Sequence, residues 1–176
     1  MDGRELAARA AATAHNLVLG DELRSIHSAF EKARVPVVVL KGIPLMKRIG
    51  EDLGERRLAD NDVLVRRRDV RRAAAALEAT GYCELPGRSL DVSLRTGSGQ
   101  HPMVREVHGH RVRAELHWEA FHPPFTGIAE ERVWARTTTT KFGDLELCVP
   151  DAELTLVHTA AHYVWHAMGQ PRLLRT

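Results

Sequence analysis

The pattern of apolar residues predicts that the chain begins with helical structure. Residues 4–34 are expected to form two helices that are separated at Gly20. Asp2 and Asp21 are the expected N-caps of these helices. In the second helix, apolar side chains recur at three- and four-residue spacing, at Leu23, Ile26, Phe30 and Ala33. One face of that helix is therefore expected to pack against a core.

Apolar runs then alternate with short helical segments. Residues 35–40 (VPVVVL) include five apolar residues, four of them β-branched, which indicates a buried central strand. Gly42 follows this strand, and a short helix is expected after it. Beyond a polar loop, residues 60–65 form a second predicted strand. Residues 68–80 form a predicted helix that ends at Gly81 as its C-cap.

The second half of the chain is predicted to consist mainly of β-hairpins. Residues 86–101 are rich in Gly, Ser and Pro and are expected to include a mobile loop. The remaining predicted elements are a hairpin of residues 103–107 and 111–118, a helix near 128–135, a hairpin of 136–141 and 145–149, and a final helix from 151 to about 168. Glu115 and His117 alternate with Leu116 and Trp118, so this polar pair shares one strand face.

This order of strands and helices predicts a mixed α/β fold, in which helices flank a β-sheet. We expect a helical N-terminal segment at residues 1–34 and an α/β core at residues 35–149. Residues 150–176 are expected to form a C-terminal helix, and whether it is a truncated part of a longer helical extension stays open.

Two carboxylates at the start of the second strand are the most informative chemical feature. Asp60 and Asp62 are two residues apart on a strand, so their side chains point to the same face. Neighbouring carboxylates repel each other, which favours their neutralisation by a cation. Hard oxygen ligands at this spacing suit Mg²⁺ or Mn²⁺. The alternative is an acidic pair that only caps a turn, because Asp-x-Asp alone is a weak signal.

Six short motifs, in a fixed order, resemble those of a known family. They are Leu40-Lys41-Gly42, Arg57, Asp60-x-Asp62, Gly81-Tyr82, Glu115-Leu116-His117-Trp118 and a helix from Leu154 to His158. This order is similar to that of the uncharacterised bacterial nucleotidyltransferases, within the DNA polymerase beta nucleotidyltransferase superfamily. The resemblance covers nearly the whole chain and implies the nucleotidyltransferase-type mixed sheet flanked by helices.

The resemblance also implies an activity, which is metal-dependent transfer of an NMP from an NTP to an acceptor hydroxyl or phosphate, with release of pyrophosphate. The residues implied as catalytic metal ligands, for Mg²⁺ or Mn²⁺, are Asp60, Asp62 and Glu115. The residues implied to bind the nucleotide are Lys41, Gly42 and Arg57. His117 is assigned to nucleotide binding with them because it shares a strand face with Glu115, where it is expected to contact a phosphate or orient a carboxylate; a structural hydrogen bond is the alternative role.

Two differences from the superfamily pattern leave the mode of nucleotide binding open. The superfamily usually has Gly-Ser after the first strand, whereas Gly42 is followed here by Ile43, so the hydroxyl that commonly contacts a phosphate is missing. The spacing from Gly42 to Asp60 is also longer than is usual in the superfamily. A catalytically silent nucleotide- or partner-binding module on the same fold is therefore the alternative function.

Charge and hydropathy limit the expected partners and location. The chain has 25 basic and 23 acidic residues, a formal net charge of +2, which argues against binding to long nucleic acid. The expected partners are an NTP and a small-molecule, peptide or protein acceptor, and a homo-oligomer stays open. No apolar stretch approaches the ~20 residues of a membrane span, which predicts no membrane contact. The N-terminus also lacks the apolar core of a signal peptide, which predicts a cytoplasmic location. Cys83 and Cys148 are expected to be free, buried thiols.

Three histidines of the last predicted helix form a second candidate metal site. His158, His162 and His166 recur at four-residue spacing and share a helix face, as zinc ligands can. The His-Glu-x-x-His pattern of zinc proteases is absent, because residue 159 is Thr. A polar or half-buried helix stripe is the interpretation that we favour over a zinc-dependent hydrolase.

Overall fold

The computed structural model describes residues 2–122, 125 and 128–169 of the chain, and side chains as far as Trp165. Within these residues the helices are α1 (Gly3–Lys32), α2 (Ile43–Arg48), α3 (Val70–Glu78, preceded by a 3₁₀ turn at Arg67–Asp69), α4 (Leu90–Thr96), α5 (Glu130–Trp134) and α6 (Ala152–Gly169). The strands are β1 (Val37–Val39), β2 (Asn61–Val65), β3 (Cys83–Glu84), β4 (Gln100–Val107), β5 (His110–His117), β6 (Thr137–Phe142) and β7 (Leu145–Pro150).

Five of these strands form one mixed sheet in the order β1-β2-β5-β4-β3. The pair β2–β5 is parallel, and the other neighbouring strands are antiparallel. In the register of β2 and β5, Asp62 lies opposite Glu115 and Leu64 lies opposite His117. Strands β6 and β7 form a separate hairpin, and β7 packs beside β1. The mixed α/β fold that the sequence predicts is confirmed.

Helices α1 and α3 cover one face of the sheet. The larger apolar core joins Leu23 and Phe30 of α1 and Leu77 of α3 to Val63 of β2 and Leu116 of β5. Each of these side chains is almost completely buried, and burial of a large apolar side chain contributes about 1.5–3 kcal/mol to stability. This layer makes α1 part of the main core.

Helices α5 and α6 cover the opposite face. Val38 and Leu64 of the sheet form a second apolar cluster with Phe121, Val133 of α5 and Leu154 of α6. Alternate residues of a strand share a face, so Asp62 lies on the same side of β2 as Leu64. This second layer therefore lies on the side of the sheet that carries the acidic residues.

Gly20 does not separate two helices, and this prediction was wrong. Helix α1 is continuous from Gly3 to Lys32, so Asp21 lies inside it, whereas Asp2 caps it by accepting a hydrogen bond from the Glu5 amide at 2.8 Å. A Cβ on Gly20 would lie 2.8 Å from the Phe142 ring. The glycine therefore allows a close packing contact with the β6–β7 hairpin.

Residues 86–101 are more regular than the expected mobile loop. Helix α4 forms inside this segment, with the Ser89 hydroxyl accepting from the Val92 amide at 3.3 Å and Gly97 ending the helix at a φ of 67°. Local capping thus outweighs the Gly- and Ser-rich composition. Both cysteines are free, as expected, but neither is buried. Cys148 is partly exposed, and Cys83 is exposed because the two-residue β3 lies at the sheet edge.

The Gly81-Tyr82 motif joins α3 to α1. Gly81 has a φ of 95°, which favours glycine after the end of the helix. The Tyr82 hydroxyl donates a hydrogen bond of 3.0 Å to Glu22 of α1, and Arg105 lies 3.4 Å from both oxygens of that buried carboxylate. Burial and the Glu22 carboxylate raise the pKa of Tyr82 well above its usual value. The motif thus has a packing role in this chain.

The other predicted elements are confirmed with small shifts of their ends. The β4–β5 hairpin turns at His108-Gly109, where φ is 48° and 76°. Among the residues described, no helix has the length and apolarity that a membrane crossing requires. The division into segments 1–34, 35–149 and 150–176 stays a prediction.

Candidate functional site

A buried cluster of two carboxylates and one imidazole lies on strands β2 and β5. Asp62, Glu115 and His117 each offer a ligand atom, and these atoms all lie within 4.8 Å of one another. The three residues are 2%, 6% and 1% exposed. They meet because β2 and β5 are parallel neighbours and because Glu115 and His117 share a face of β5. Within the described part of the chain, this is the cluster with the composition of a metal site.

Two cationic or polar partners converge on one oxygen of Asp62. Lys41 Nζ lies 3.1 Å from Asp62 Oδ1, and His117 Nε2 lies 3.0 Å from the same atom. Burial alone would raise the pKa of Asp62, but the hydrogen bonds and charges of His117 and Lys41 outweigh it and hold the pKa well below the usual range. Asp62 is therefore an anion at neutral pH.

Glu115 is paired with a cation from its own strand. Arg113, two residues earlier on the same face of β5, donates to Glu115 Oε1. The other carboxylate oxygen, Oε2, lies 3.6 Å from His117 Nε2. Glu115 thus keeps one oxygen directed towards the cluster while Arg113 binds the other.

Asp60 lies in the electrostatic field of the cluster without belonging to it. It comes directly before β2 and is half-buried. Burial and the Asp62 carboxylate raise the pKa of Asp60, whereas the charges of Lys41 and Arg113 lower it. The two aspartates therefore interact, as their i, i+2 spacing predicts, but the hydrogen bond of His117 is to Asp62.

Lys41 and Gly42 lie at the end of β1, beside the start of β2. The Leu40 amide donates to the Asp62 carbonyl at 3.0 Å, which fixes this end of β1 against the acidic strand. Gly42 has a φ of 72°, a conformation that favours glycine. A Cβ there would lie 3.8 Å from the Asp60 carbonyl oxygen, an ordinary contact, so the backbone conformation rather than space requires glycine.

Arg57 lies against α1 in this structure. Its guanidinium donates to His15 Nδ1 at 3.2 Å, and His15 Nε2 lies 3.0 Å from the Leu58 carbonyl. Burial and the Arg57 charge lower the pKa of His15, so a neutral ring accepts from Arg57 and donates to Leu58. This geometry places Arg57 on the loop before the acids, as predicted, with its side chain bound to His15.

Helix α6 places two of the predicted histidines beside the cluster, which sequence patterns did not indicate. Lys41 Nζ lies 3.1 and 3.4 Å from the ring nitrogens of His162. His158 is 3% exposed, packs edge-on against Phe121 and lies one helical turn from His162. Burial, then the charges of Lys41 and His117, lower the pKa of His158 to about 4. The four-residue spacing predicted the shared face, but only the docking of α6 shows what that face contacts.

The His158 stripe does not form a separate metal cluster among the described side chains. Its two described members stack at 6.1 Å between ring centroids, and the side chain of the third, His166, lies outside the described residues. A half-buried helix stripe accounts for His158, whose side chain is buried.

A cavity of about 300 Å³ lies next to the cluster, at the carboxyl ends of β2 and β5. Its lining includes Leu64, Trp118, Phe121 and Trp134. Leu64 is two residues beyond Asp62 on the same face, which corresponds to about 7 Å along the strand. Aromatic and aliphatic side chains line this cavity together with Arg67, Glu119 and Glu130, so it can bind an organic group that also carries polar atoms.

Comparison with known proteins identifies the family of the chain. A family model described as an uncharacterised nucleotidyltransferase matches residues 4–176. The chain belongs to this family of uncharacterised nucleotidyltransferases. No curated protein and no solved structure matches the chain.

The donor set in this nucleotidyltransferase-family chain fits a divalent cation. In an octahedral site with metal–ligand distances of about 2.1 Å, neighbouring ligand atoms lie about 3.0 Å apart. His117 Nε2 lies 3.0 Å from Asp62 Oδ1 and 3.6 Å from Glu115 Oε2, close to that separation. Small side-chain shifts therefore suffice for these residues to hold one divalent ion.

Proposed function

We propose that the protein is a metal-dependent nucleotidyltransferase that moves an NMP from an NTP to an acceptor hydroxyl or phosphate and releases pyrophosphate. The observation that carries this proposal is the convergence of Asp62 and Glu115 on adjacent parallel strands, in a chain of the nucleotidyltransferase family. The two acids are 53 residues apart in sequence, and a shared buried site gives a reason for their juxtaposition.

Asp60, Asp62 and Glu115 are the proposed catalytic residues and the proposed metal ligands, with Mg²⁺ or Mn²⁺ as the metal. A bound divalent ion supplies Lewis-acid stabilisation of the triphosphate and of the attacking oxygen. Asp60 directly precedes β2 and is half-buried, and Asp62 is the second residue of β2 and is buried. Their mutual repulsion, which raises the pKa of Asp60, is relieved when a cation is bound.

Lys41, Gly42, Arg57 and His117 are the proposed nucleotide-binding residues. The side chain of Lys41 is 15% exposed and already contacts the Asp62 carboxylate, so its ammonium can bridge that carboxylate and a phosphate oxygen. Arg57 requires release from His15 to reach a phosphate. In the reaction, an acceptor oxygen forms a bond to the α-phosphorus, the bond to the pyrophosphate oxygen breaks, and a hydroxyl acceptor loses its proton.

The proposed partners are an NTP and a small-molecule, peptide or protein acceptor, in the cytoplasm. The near-neutral charge supports an acceptor other than long nucleic acid. The aromatic cavity beside Leu64 supports an acceptor or nucleobase with a flat apolar surface. A homo-oligomer is compatible with this proposal.

Labelled nucleotides test the proposed activity directly. The protein is incubated with each α-³²P-labelled NTP, Mg²⁺ or Mn²⁺, and pools of hydroxyl- and phosphate-bearing metabolites and of Ser-, Thr- and Tyr-containing peptides. We expect transfer of the label to one acceptor class with an equal amount of pyrophosphate. Asp62→Asn should lower the rate by at least about a hundredfold, because it removes a charged metal ligand.

Asp91→Asn is the matched control, because Asp91 is an exposed carboxylate paired with Arg71. It should keep the wild-type rate. Label transfer that persists at the wild-type rate in Asp62→Asn contradicts the proposed site. Circular dichroism of both variants establishes that they are folded.

A catalytically silent nucleotide- or partner-binding module is the second candidate function. The observation that favours it is that Lys41 and Arg113 already pair with Asp62 and Glu115, so the acids are partly neutralised without a metal. If the protein is such a module, we expect calorimetry to detect NTP binding and no acceptor pool to yield pyrophosphate. Turnover in the labelled-NTP assay excludes it.

A further inference from the structure

We propose that His117 is a metal ligand through Nε2, and that the site therefore binds a first-row transition-metal dication such as Mn²⁺ in preference to Mg²⁺. This inference rests on the proposed function for the use of a metal. It replaces an all-carboxylate site by a mixed site of Asp62, Glu115 and His117. It also gives His117 a role other than contact with a phosphate.

The position of the imidazole is the first argument. Nε2 is the ring atom that faces both carboxylates, at 3.0 Å from Asp62 Oδ1 and 3.6 Å from Glu115 Oε2. Nδ1 is buried and has no hydrogen-bond partner among the described residues. Among the described residues, the hydrogen-bond and ion-pair partners of this ring are the two acids, and both lie on the Nε2 side.

Burial is the second argument. His117 is 1% exposed, whereas the side chain of Lys41, which faces the same carboxylate, is 15% exposed. A triphosphate that approaches from solvent meets Lys41 before it meets His117. An ion held between Asp62 and Glu115 contacts His117 without any opening of the sheet, because the three donor atoms already lie within 4.8 Å of one another.

The ligand chemistry decides which metal is preferred. Mg²⁺ is a hard ion that takes oxygen ligands almost exclusively. Imidazole nitrogen suits first-row transition metals, and carboxylate oxygen is accepted by Mn²⁺ as well as by Mg²⁺. A nitrogen donor among two carboxylates thus shifts the balance away from Mg²⁺. Mn²⁺ is the suitable probe, since it is paramagnetic.

Pulsed electron paramagnetic resonance of the Mn²⁺-loaded protein tests the inference. Electron spin echo envelope modulation detects a directly coordinated histidine through its ¹⁴N coupling. We expect this modulation in the wild type, its loss in His117→Gln, and its retention in His158→Gln. His158 is the matched control, because it is a buried histidine close to the same cluster but outside it.

Metal affinities give the second measurement. Titration should show Mn²⁺ binding at least roughly tenfold more tightly than Mg²⁺ in the wild type, with the ratio falling towards one in His117→Gln. A histidine that only orients Asp62 by a hydrogen bond also lowers metal affinity when it is removed. Such a residue gives no ¹⁴N modulation, so the spectroscopic result distinguishes the two roles.

Mn²⁺ that binds without ¹⁴N modulation overturns the inference and leaves the proposed transferase function standing, with an all-oxygen site. If the modulation persists in His117→Gln and disappears in His158→Gln, the ligand is a histidine of α6, and the inference about His117 is wrong. If His117→Gln does not fold, wild-type protein with ¹⁵N-labelled histidine replaces it. The ¹⁴N signal must then change to that of ¹⁵N, and an unchanged signal contradicts histidine ligation.

Discussion

Single polar side chains inside the core position the loop that leads to the acidic strand. Asn16 of α1 is fully buried, and its amide donates to the carbonyls of Leu53 and Arg56 at 2.8 Å each. Its oxygen accepts from the Leu58 amide at 3.0 Å. The predicted helix pattern did not mark this residue, because a single asparagine among apolar positions carries no periodic signal.

Asn16→Ala is expected to destabilise the fold by about 2–4 kcal/mol, because it leaves one buried and two partly buried backbone groups without this partner. Urea unfolding followed by circular dichroism measures this change. Leu17→Ala, at an exposed position on the same turn of α1, is the control and should cost far less. Equal stability of the two variants contradicts the structural role of Asn16.

At the scale of elements, the contact between α1 and the β6–β7 hairpin explains why Gly20 lies inside a helix. The ring of Phe142 occupies the place of a Gly20 side chain, and Ile43 of α2 lies nearby, 3.3 Å from an added Cβ. Glycine weakens a helix by about 1 kcal/mol relative to alanine. At Gly20 this loss is offset by the packing of α1 against α2 and the β6–β7 hairpin. Helix propensities alone do not predict that packing.

Gly20→Val is expected to lower stability by about 1–3 kcal/mol through overpacking against Phe142, although valine has the better intrinsic helix propensity. Thermal or urea unfolding provides the measurement. Adding Phe142→Leu should restore part of the loss, and the double-mutant cycle gives the coupling. The propensity effect alone would raise stability, and Gly3→Val, where an added Cβ of α1 meets no atom within 4 Å, is the glycine-to-valine control. A Gly20→Val variant that is no less stable than Gly3→Val contradicts the contact with Phe142.

At the scale of the whole molecule, a helical layer covers each face of the sheet. Only the layer that contains α6 lies on the face that carries the site. The α1–α3 layer packs on apolar residues, whereas the layer with α6 brings His158 and His162 towards Lys41 and Asp62. Burial of His158 as a neutral ring couples the docking of α6 to pH. Its folded pKa of about 4 lies below the value of 6.5 for an exposed histidine.

Stability should consequently rise with pH across this window. Between pH 4 and 6.5 the unfolded chain binds a proton at His158 that the folded protein does not bind. The contribution of the neutral His158 ring to the free energy of unfolding is therefore complete above pH 6.5 and is lost as the pH falls towards 4. Relative to His158→Gln, the wild type should lose about 3 kcal/mol over this range. Urea titrations at several pH values measure the difference. His110→Gln, at the exposed first residue of β5, is the control and should follow the wild type. Parallel curves for the wild type and His158→Gln contradict the assignment.

The sequence by itself determined most of the local structure and the candidate chemistry. Alternation and helical period are local properties, so they located the strands, put Glu115 and His117 on one face and placed Asp60 and Asp62 at a strand start. The family motifs added the expected activity, which the family match supports.

Tertiary structure alone decided which of these residues meet. The parallel pairing of β2 with β5 sets Asp62 beside Glu115 and His117, whereas Arg57 is bound to His15. Strand pairing and helix docking depend on packing between segments far apart in the chain, and a one-residue slip in register would turn the acids away from one another. No local pattern contains that information: the family resemblance named Asp62 and Glu115 together, but only the fold brings His117 to them and directs Arg57 to His15.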